Sequence, residues 1–176
     1  MFFTKKPEKE YEAFMSKWFS VWGSGPYDPN KIEATNISKK EQAQYEEIVR
    51  SMASACVQDF KNDFKIDLDY TLDSLKDIDS VITPETRKKF ESVSKSNDIN
   101  NQLLIFICEI GAYLGEVLNR QKNGKWNMVY PYWDSPLLVG KTEAFWPFHW
   151  VIKAFSGQLS KNGGNLYAKY MASEKT

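Results

Sequence analysis

Residues 103–118, LLIFICEIGAYLGEVL, decide the fold of this 176-residue chain. Positions 103–107 are all apolar, so their side chains point in every direction around a helix axis, and a helix that is apolar all round is buried. We therefore predict a central buried helix over about residues 99–120. The longest purely apolar run, residues 103–108, ends at Glu109. A membrane-spanning helix needs about 20 such residues, so we expect no membrane partner.

The central helix also carries two glycines and two glutamates. Gly111 and Gly115 leave one side of it without side chains, which predicts close packing against another segment of the same chain. Glu109 and Glu116 lie seven residues apart, about 10 Å along the axis on one shared face. A carboxylate in an apolar helix is costly without a partner. Two interpretations stay open: a polar pocket with paired carboxylates, or an ion pair of Glu116 with Arg120.

Upstream of the central helix, the hydrophobic periodicity predicts further helices. An amphipathic helix is predicted over residues 8–22, and its Phe14, Trp18 and Trp22 could serve self-association if it does not dock on its own domain. Ser38 and Glu41 form a capping box that starts a long helix to about residue 64. Residues 65–72 alternate and predict a short strand or extended segment, and helices are predicted over 73–81 and 83–93.

Downstream of the central helix, alternation predicts strands over residues 125–132, 137–139 and 141–145, then helices over 146–157 and 166–171. The fold class is therefore α+β: mostly helical, with a central buried helix packed against a small antiparallel sheet. We expect a single domain over residues 1–176. It comprises an N-terminal helical part (1–64), an α+β part (65–157) and a C-terminal tail (158–176).

The composition excludes several classes of function. Lys plus Arg and Asp plus Glu are both 23, and a pI near 6.6 lacks the positive charge of a general nucleic-acid binder. Cys56 and Cys108 stand outside CxxC spacing and predict two buried reduced thiols. The sequence has no apolar run of signal-peptide length near its start, which with the thiols predicts a cytoplasmic protein. Neither a metal site nor a cofactor is predicted.

Known catalytic motifs fit poorly. DLDYT at residues 67–71 matches the DxDxT pattern of dehalogenase-type phosphatases, but Asp67 and Asp69 follow a long helix instead of a buried strand. An EF-hand counted from Asp67 would need Gly at position 72, which is Leu72. His149, the single histidine, is expected to be structural or solvent-facing, since no GxSxG elbow exists to complete a triad. The common phosphate-binding glycine motifs are missing as well.

Aromatic density is the most unusual feature of the sequence, with eight aromatic side chains in residues 126–150. They either fill the interface between sheet and central helix, or some of them face outward. We expect Tyr132, Trp133 and Trp146 to form an outward binding patch, because Trp and Tyr are enriched at interface hot spots. Lysine is scarce in this stretch, which favours a protein surface or a small neutral ligand over nucleic acid.

Three stretches together resemble a group of uncharacterised bacterial proteins classed as a domain of unknown function. They are LDYTLDSL at residues 68–75, GAYLGEVL at 111–118 and NGKW at 123–126. The resemblance covers about residues 65–157 and implies a strand, a helix, the glycine-bearing central helix and then strands. It carries no catalytic residues. Small bacterial domains of this sort sometimes accompany secreted toxins, which implies an immunity-type role.

Two functions remain as expectations. The first is a non-enzymatic, cytoplasmic protein-binding module in which the aromatic patch contacts the partner and Asp67 and Asp69 meet basic groups. The alternative is a small enzyme or ligand-binding protein with a pocket around Glu109 and Glu116. The oligomeric state stays open at this stage.

Overall fold

The structure, a computed structural model, describes residues 9–19, 35–157 and 165–174. These residues form seven α-helices and five short strands. In chain order the elements are α1 (Lys9–Trp18), β1 (Thr35–Asn36), α2 (Lys39–Asp59), α3 (Ser74–Val81), α4 (Pro84–Val93), α5 (Gln102–Lys122), β2 (Lys125–Trp126), β3 (Val129–Tyr130), β4 (Leu137–Val139), β5 (Glu143–Phe145), α6 (Pro147–Phe155) and α7 (Leu166–Ser173).

The central helix α5 is confirmed. Asn101 caps it by accepting a hydrogen bond from the backbone N–H of Leu104 at 2.9 Å. Its most extensive helix contacts are with α2 on one side and α6 on another. α5 alone among the described helices is long and apolar enough to cross a bilayer. However, 78% of its most apolar window is buried in the protein, as in the core helix of a soluble fold.

The long helix α2 begins as its capping box predicts. The Ser38 hydroxyl accepts from the backbone N–H of Glu41, and the Glu41 carboxylate accepts from the backbone N–H of Ser38 at 2.8 Å. After Asp59 the helix widens into a π-helical turn, Phe60–Phe64, and ends at Lys65 in the left-handed conformation (φ 60°). This end brings Phe60 and Phe64 beside the ring of Phe106 on α5.

The predicted α+β class is also confirmed: β2, β4 and β5 form an antiparallel three-stranded sheet. Trp126 lies opposite Leu137, and Leu137 lies opposite Phe145. All three of these side chains are buried. Because side chains alternate across a strand, they form the inner face of the sheet toward α5, and the intervening residues form an outer face.

Two strand predictions need correction. Residues 125–132 are not one strand: β3 pairs with β1 in a separate two-stranded sheet. The backbone N–H of Met128 donates to Gln42 and that of Val129 donates to Ser135, so these groups leave the ladder. Residues 65–72 form an irregular segment instead of a strand. There, the backbone N–H of Tyr70 (φ 62°) donates to the Tyr113 hydroxyl at 2.8 Å.

The first helix docks on its own domain. Phe14 and Trp18 on α1 are buried in the common core, which contradicts the idea that they serve self-association. The predicted end of this helix, including Trp22, lies outside the described residues. Helices α3, α4, α6 and α7 lie where the sequence predicts them, with Thr83 capping α4 through the backbone N–H of Thr86.

Candidate functional site: an apolar outer sheet face

The outer sheet face is an exposed surface that the register of three strands builds. Lys125, Leu138 and Ala144 lie opposite one another across β2, β4 and β5. Continuing the same register by two residues places Asn127, Pro136 and Trp146 in the neighbouring row, and the backbone N–H of Asn127 donates to the Pro136 carbonyl. We call these six residues the outer sheet face: Lys125, Asn127, Pro136, Leu138, Ala144 and Trp146.

Two large apolar side chains dominate this face. Trp146 is 45% exposed and Leu138 is 41% exposed, whereas the inner-face Trp126 is 6% exposed. Trp146 precedes α6, and its carbonyl accepts from the backbone N–H of Trp150, so the helix start fixes its backbone. The predicted outward orientation of Trp146 is therefore confirmed.

The outward orientation predicted for Trp133 is wrong, and Tyr132 is only half-buried. A single 3₁₀ turn, Tyr132–Asp134, directs both side chains toward the core. Trp133 is 4% exposed, and its ring lies edge-on to that of Phe19 at 5.4 Å. Tyr132 contacts Phe148, and burial together with the neighbouring Cys108 thiol raises the pKa of its hydroxyl. A period-two pattern could not reveal this turn.

The acidic pair Asp67 and Asp69 is exposed as predicted, but both carboxylates have local partners. The Asp67 carboxylate forms an ion pair with the Lys61 ammonium at 3.2 Å. Asp69 accepts from the hydroxyl and the backbone N–H of Thr71, and these hydrogen bonds lower the pKa of Asp69. The surface around Asp67 and Asp69 therefore offers a basic partner less unpaired negative charge than the sequence suggests.

Glu109 faces the polar end of α2. Burial and the nearby carboxylate of Asp59 raise the pKa of Glu109 to about 8, so the side chain holds a proton at neutral pH and can donate it to Asp59. Desolvation, and then the charge of Glu109, raise the pKa of Cys56 on the same helix interface. Cys56 and Cys108 are both buried free thiols, as predicted.

Glu116 belongs to a different set of contacts. Its carboxylate accepts from the indole N–H of Trp126 at 3.2 Å. The predicted pair with Arg120 does not form, because the Arg120 guanidinium lies 3.8 Å from the centre of the Tyr70 ring instead. A cleft of about 260 Å³ lies between α1 and α4, lined by residues that include Phe14, Trp18 and Arg87. Neither Glu109 nor Glu116 lines that cleft.

Three side chains, Tyr11, His149 and Asp134, form a hydrogen-bond network that the sequence does not reveal. His149 Nε2 lies 2.5 Å from a carboxylate oxygen of Asp134, and Nδ1 lies 2.5 Å from the Tyr11 hydroxyl. A neutral ring with its proton on Nε2 satisfies both contacts, because the carboxylate accepts and the hydroxyl donates. Asp134 and Tyr11 are buried. This hydrogen-bond network therefore ties α1 to α6. A contact between residues 138 positions apart leaves no local sequence signal.

The described residues contain no group of three or more His, Cys, Asp or Glu side chains that could hold a metal ion. Searches of family models, of curated proteins and of solved structures found no match to this chain.

Proposed function

We propose that the chain is a non-enzymatic, cytoplasmic protein-binding module whose contact surface is the outer sheet face. The single observation that carries the proposal is the exposure of two large apolar side chains on this face, Trp146 at 45% and Leu138 at 41%. Trp is among the residue types most enriched at interface hot spots.

The composition of the face defines the kind of partner. Leu138, Pro136 and Trp146 give it an apolar centre, and Lys125 at its margin supplies one positive charge. An apolar or aromatic side chain on the partner, flanked by a carboxylate, matches this arrangement. The aromatic interior of the domain supports the face from behind, because Trp126, Leu137 and Phe145 fill the space between sheet and α5.

An immunity-type inhibitor is the form of this function that the resemblance to small bacterial domains supports. In that form the partner is an enzyme, and the outer sheet face covers or distorts its active site. The argument from resemblance concerns the class of protein alone. The contact residues are proposed from their exposure.

The test compares partner binding by the wild type with binding by Trp146→Ser and Leu138→Ser. Val93→Ser on α4 is the matched control, since Val93 is an equally apolar and more exposed side chain outside the sheet. A partner isolated on immobilised wild-type protein should bind the Val93 variant normally and the two sheet variants at least tenfold more weakly. Equal affinity for all four proteins contradicts the proposal.

The immunity form has its own readout. The isolated partner should lose its catalytic activity in a stoichiometric complex with the wild type and keep it in the presence of Trp146→Ser. Light scattering of the wild type alone tests the other occupant of the face, a second copy of this chain. A dimer that Trp146→Ser dissociates would replace the proposed partner.

The alternative function uses Glu109 as a proton donor in a small enzyme or ligand site. The raised pKa of Glu109 supports this alternative. However, the alternative requires a cleft lined by Glu109 or Glu116, and neither residue lines the cleft between α1 and α4. Glu109→Gln separates the two functions. It should leave partner binding unchanged if the outer sheet face is the functional site, and abolish ligand binding or turnover if Glu109 is.

A further inference from the structure

The cleft between α1 and α4 is a small cavity that lies apart from the outer sheet face. Its volume is about 260 Å³, and about nine water molecules occupy that volume in the liquid. Phe14 and Trp18, both members of the core, line the cleft together with the exposed Ala13. The cleft therefore has an apolar wall, and its volume suits a molecule of about ten non-hydrogen atoms.

Two cations of the chain stand over these aromatic rings. Cζ of Arg87 lies 5.0 Å from the centre of the Phe14 ring, and Nζ of Lys17 lies 4.7 Å from the centre of the Trp18 ring. Arg87 and Lys17 both line the cleft. A cationic ligand beside the rings would meet two like charges, whereas an anionic ligand would be attracted by both.

Arg87 is held in place and keeps one nitrogen available. Its Nε donates to the carboxylate of Glu91 at 2.9 Å, and its Nη1 donates to the carbonyl of Phe155 at 2.8 Å. These two hydrogen bonds fix the plane of the guanidinium group. Among the residues that the structure describes, none accepts a hydrogen bond from Nη2. Because an oriented guanidinium loses little freedom on binding, Nη2 is a preorganised donor for an oxygen atom of a ligand.

The charges that line the cleft limit the charge of the ligand. Arg87 is paired with Glu91, but Lys17 forms no ion pair within the described ranges. Glu10 also lines the cleft and lies seven residues from Lys17 on α1, about 10 Å along the helix axis. Lys17 therefore favours one negative charge on the ligand, and a second negative charge would be repelled by Glu10 and Glu91.

We propose that the cleft between α1 and α4 is a binding site for small monocarboxylates that have an apolar body. The apolar body lies against Phe14 and Trp18. The carboxylate accepts a hydrogen bond from Nη2 of Arg87 and forms an ion pair with Lys17. This inference goes beyond the proposed protein-binding function, because the cleft and the outer sheet face share no residue.

The experiment titrates the full chain with phenylacetate, phenylacetamide and phenethylamine, probes of similar size that are negative, neutral and positive. Backbone amide NMR shifts give the dissociation constants and locate the site. Phenylacetate should bind with a Kd of about 1 mM or below, which is ordinary for a ligand of about ten atoms. It should shift the resonances of Ala13, Trp18 and Arg87, and it should bind about fivefold more tightly than either analogue.

Two outcomes overturn the proposal. One is a set of cleft resonances that phenylacetate leaves unmoved at ten times the expected Kd. The other is an affinity for phenylacetate no greater than that for phenylacetamide or phenethylamine, because the charge of the carboxylate would then contribute nothing to binding.

Three variants assign the contacts. Lys17→Met removes the charge and keeps a long side chain, so it should weaken binding of phenylacetate about threefold to fivefold and leave binding of phenylacetamide unchanged. Ala13→Leu should block both probes by filling the cleft, and its unfolding temperature should stay close to that of the wild type because Ala13 is exposed. Lys9→Met is the matched control, since Lys9 is exposed on the same helix and is not among the lining residues. Equal weakening by Lys9→Met and Lys17→Met would show a general effect of charge and contradict the assigned ion pair.

Discussion

The two sides of α5 are packed by different means. On one side, Gly111 and Gly115 admit aromatic rings: a Cβ built on Gly115 would lie 2.1 Å from Cζ2 of Trp126, and one on Gly111 would lie 2.5 Å from Cδ1 of Phe148. On the opposite side, about half a turn away, Glu109 meets Asp59 of α2. Shape determines the first contact and protonation determines the second.

The difference shows that one helix can pack against a sheet on one side and another helix on the other, with the first contact sensitive to side-chain volume and the second to pH. Close packing of rings on glycines depends on volume and is independent of pH, since cores respond to a change of even one methylene. The Glu109 contact depends on a proton and loses stability as the pH rises. Four substitutions test this distinction, from the most to the least disruptive.

Trp126→Ala should cause the largest loss of stability, about 3–5 kcal/mol, because it empties the space above Gly115 and the ring is buried. Trp146→Ala, on the outer face of the same sheet, should cost less than about 1 kcal/mol. Urea denaturation of both variants measures the contrast. Similar losses for the two tryptophans would show that the sheet does not separate a buried from an exposed face.

His149→Ala tests whether the aromatic side of α5 also relies on a polar contact. Phe148 packs on Gly111 while its neighbour His149 binds Asp134 and Tyr11. Removing the ring leaves the buried Asp134 carboxylate without its imidazole donor, which should cost about 2–3 kcal/mol. Thermal unfolding gives the measurement. A loss below about 0.5 kcal/mol would mean that the hydrogen bonds of His149 do not hold α1 against α6.

Gly115→Ala should destabilise by about 1–2 kcal/mol. The new methyl group forces the Trp126 ring to move, and the better helix propensity of alanine offsets about 1 kcal/mol of the overpacking. Gly140→Ala is no suitable control because Gly140 has positive φ. The double variant Gly115→Ala with Trp126→Leu is preferable. If ring and methyl compete for one space, the two effects should be less than additive.

Glu109→Gln should have the smallest effect near pH 5, and one that increases with pH. The folded state raises the pKa of Glu109 from an unfolded value of about 4.3 to about 8. The folded protein therefore binds the extra proton between these values, and the stability from Glu109 is present at low pH and lost as pH rises toward 8. Gln stays neutral and can donate to Asp59, so the unfolding free energy of the variant should rise relative to that of the wild type as the pH increases from 5 to 8, by roughly 1 kcal/mol for each pH unit.

Glu116→Gln is the matched control for this titration, since it lies on the same helix and contacts the Trp126 indole. Its unfolding free energy should follow the wild-type pH profile. Parallel profiles for wild type and Glu109→Gln would show that Glu109 is ionised in the folded protein and that the contact with Asp59 is not proton-dependent.

Much of the helical framework could be predicted from sequence because its signals are local. The capping box at Ser38, the Thr83–Pro84 start and the glycines of α5 each act within a few residues. The outward side chain of Trp146 was predicted, but its outward neighbours on the sheet required a register. That register joins β2 to β4 through pairs 11 and 13 residues apart, and β4 to β5 through pairs four to eight residues apart.

The errors share a physical cause. Residues 65–72 alternate like a strand, yet strand formation needs a partner, and their backbone donates to Tyr113 instead. Trp133 was expected outside because nothing in the sequence marks the 3₁₀ turn that directs it inward.

The hydrogen bond between Tyr11 and His149 can form only after α6 has been synthesised. The helix that α1 docks against, α6, lies more than a hundred residues further along the chain and is therefore synthesised much later. The part of the apolar side of α1 that packs on α6 therefore stays uncovered until residues 147–155 have been synthesised, and transiently exposed apolar surface makes a chain prone to aggregation. Loss of α6 would remove a packing partner of both α1 and α7.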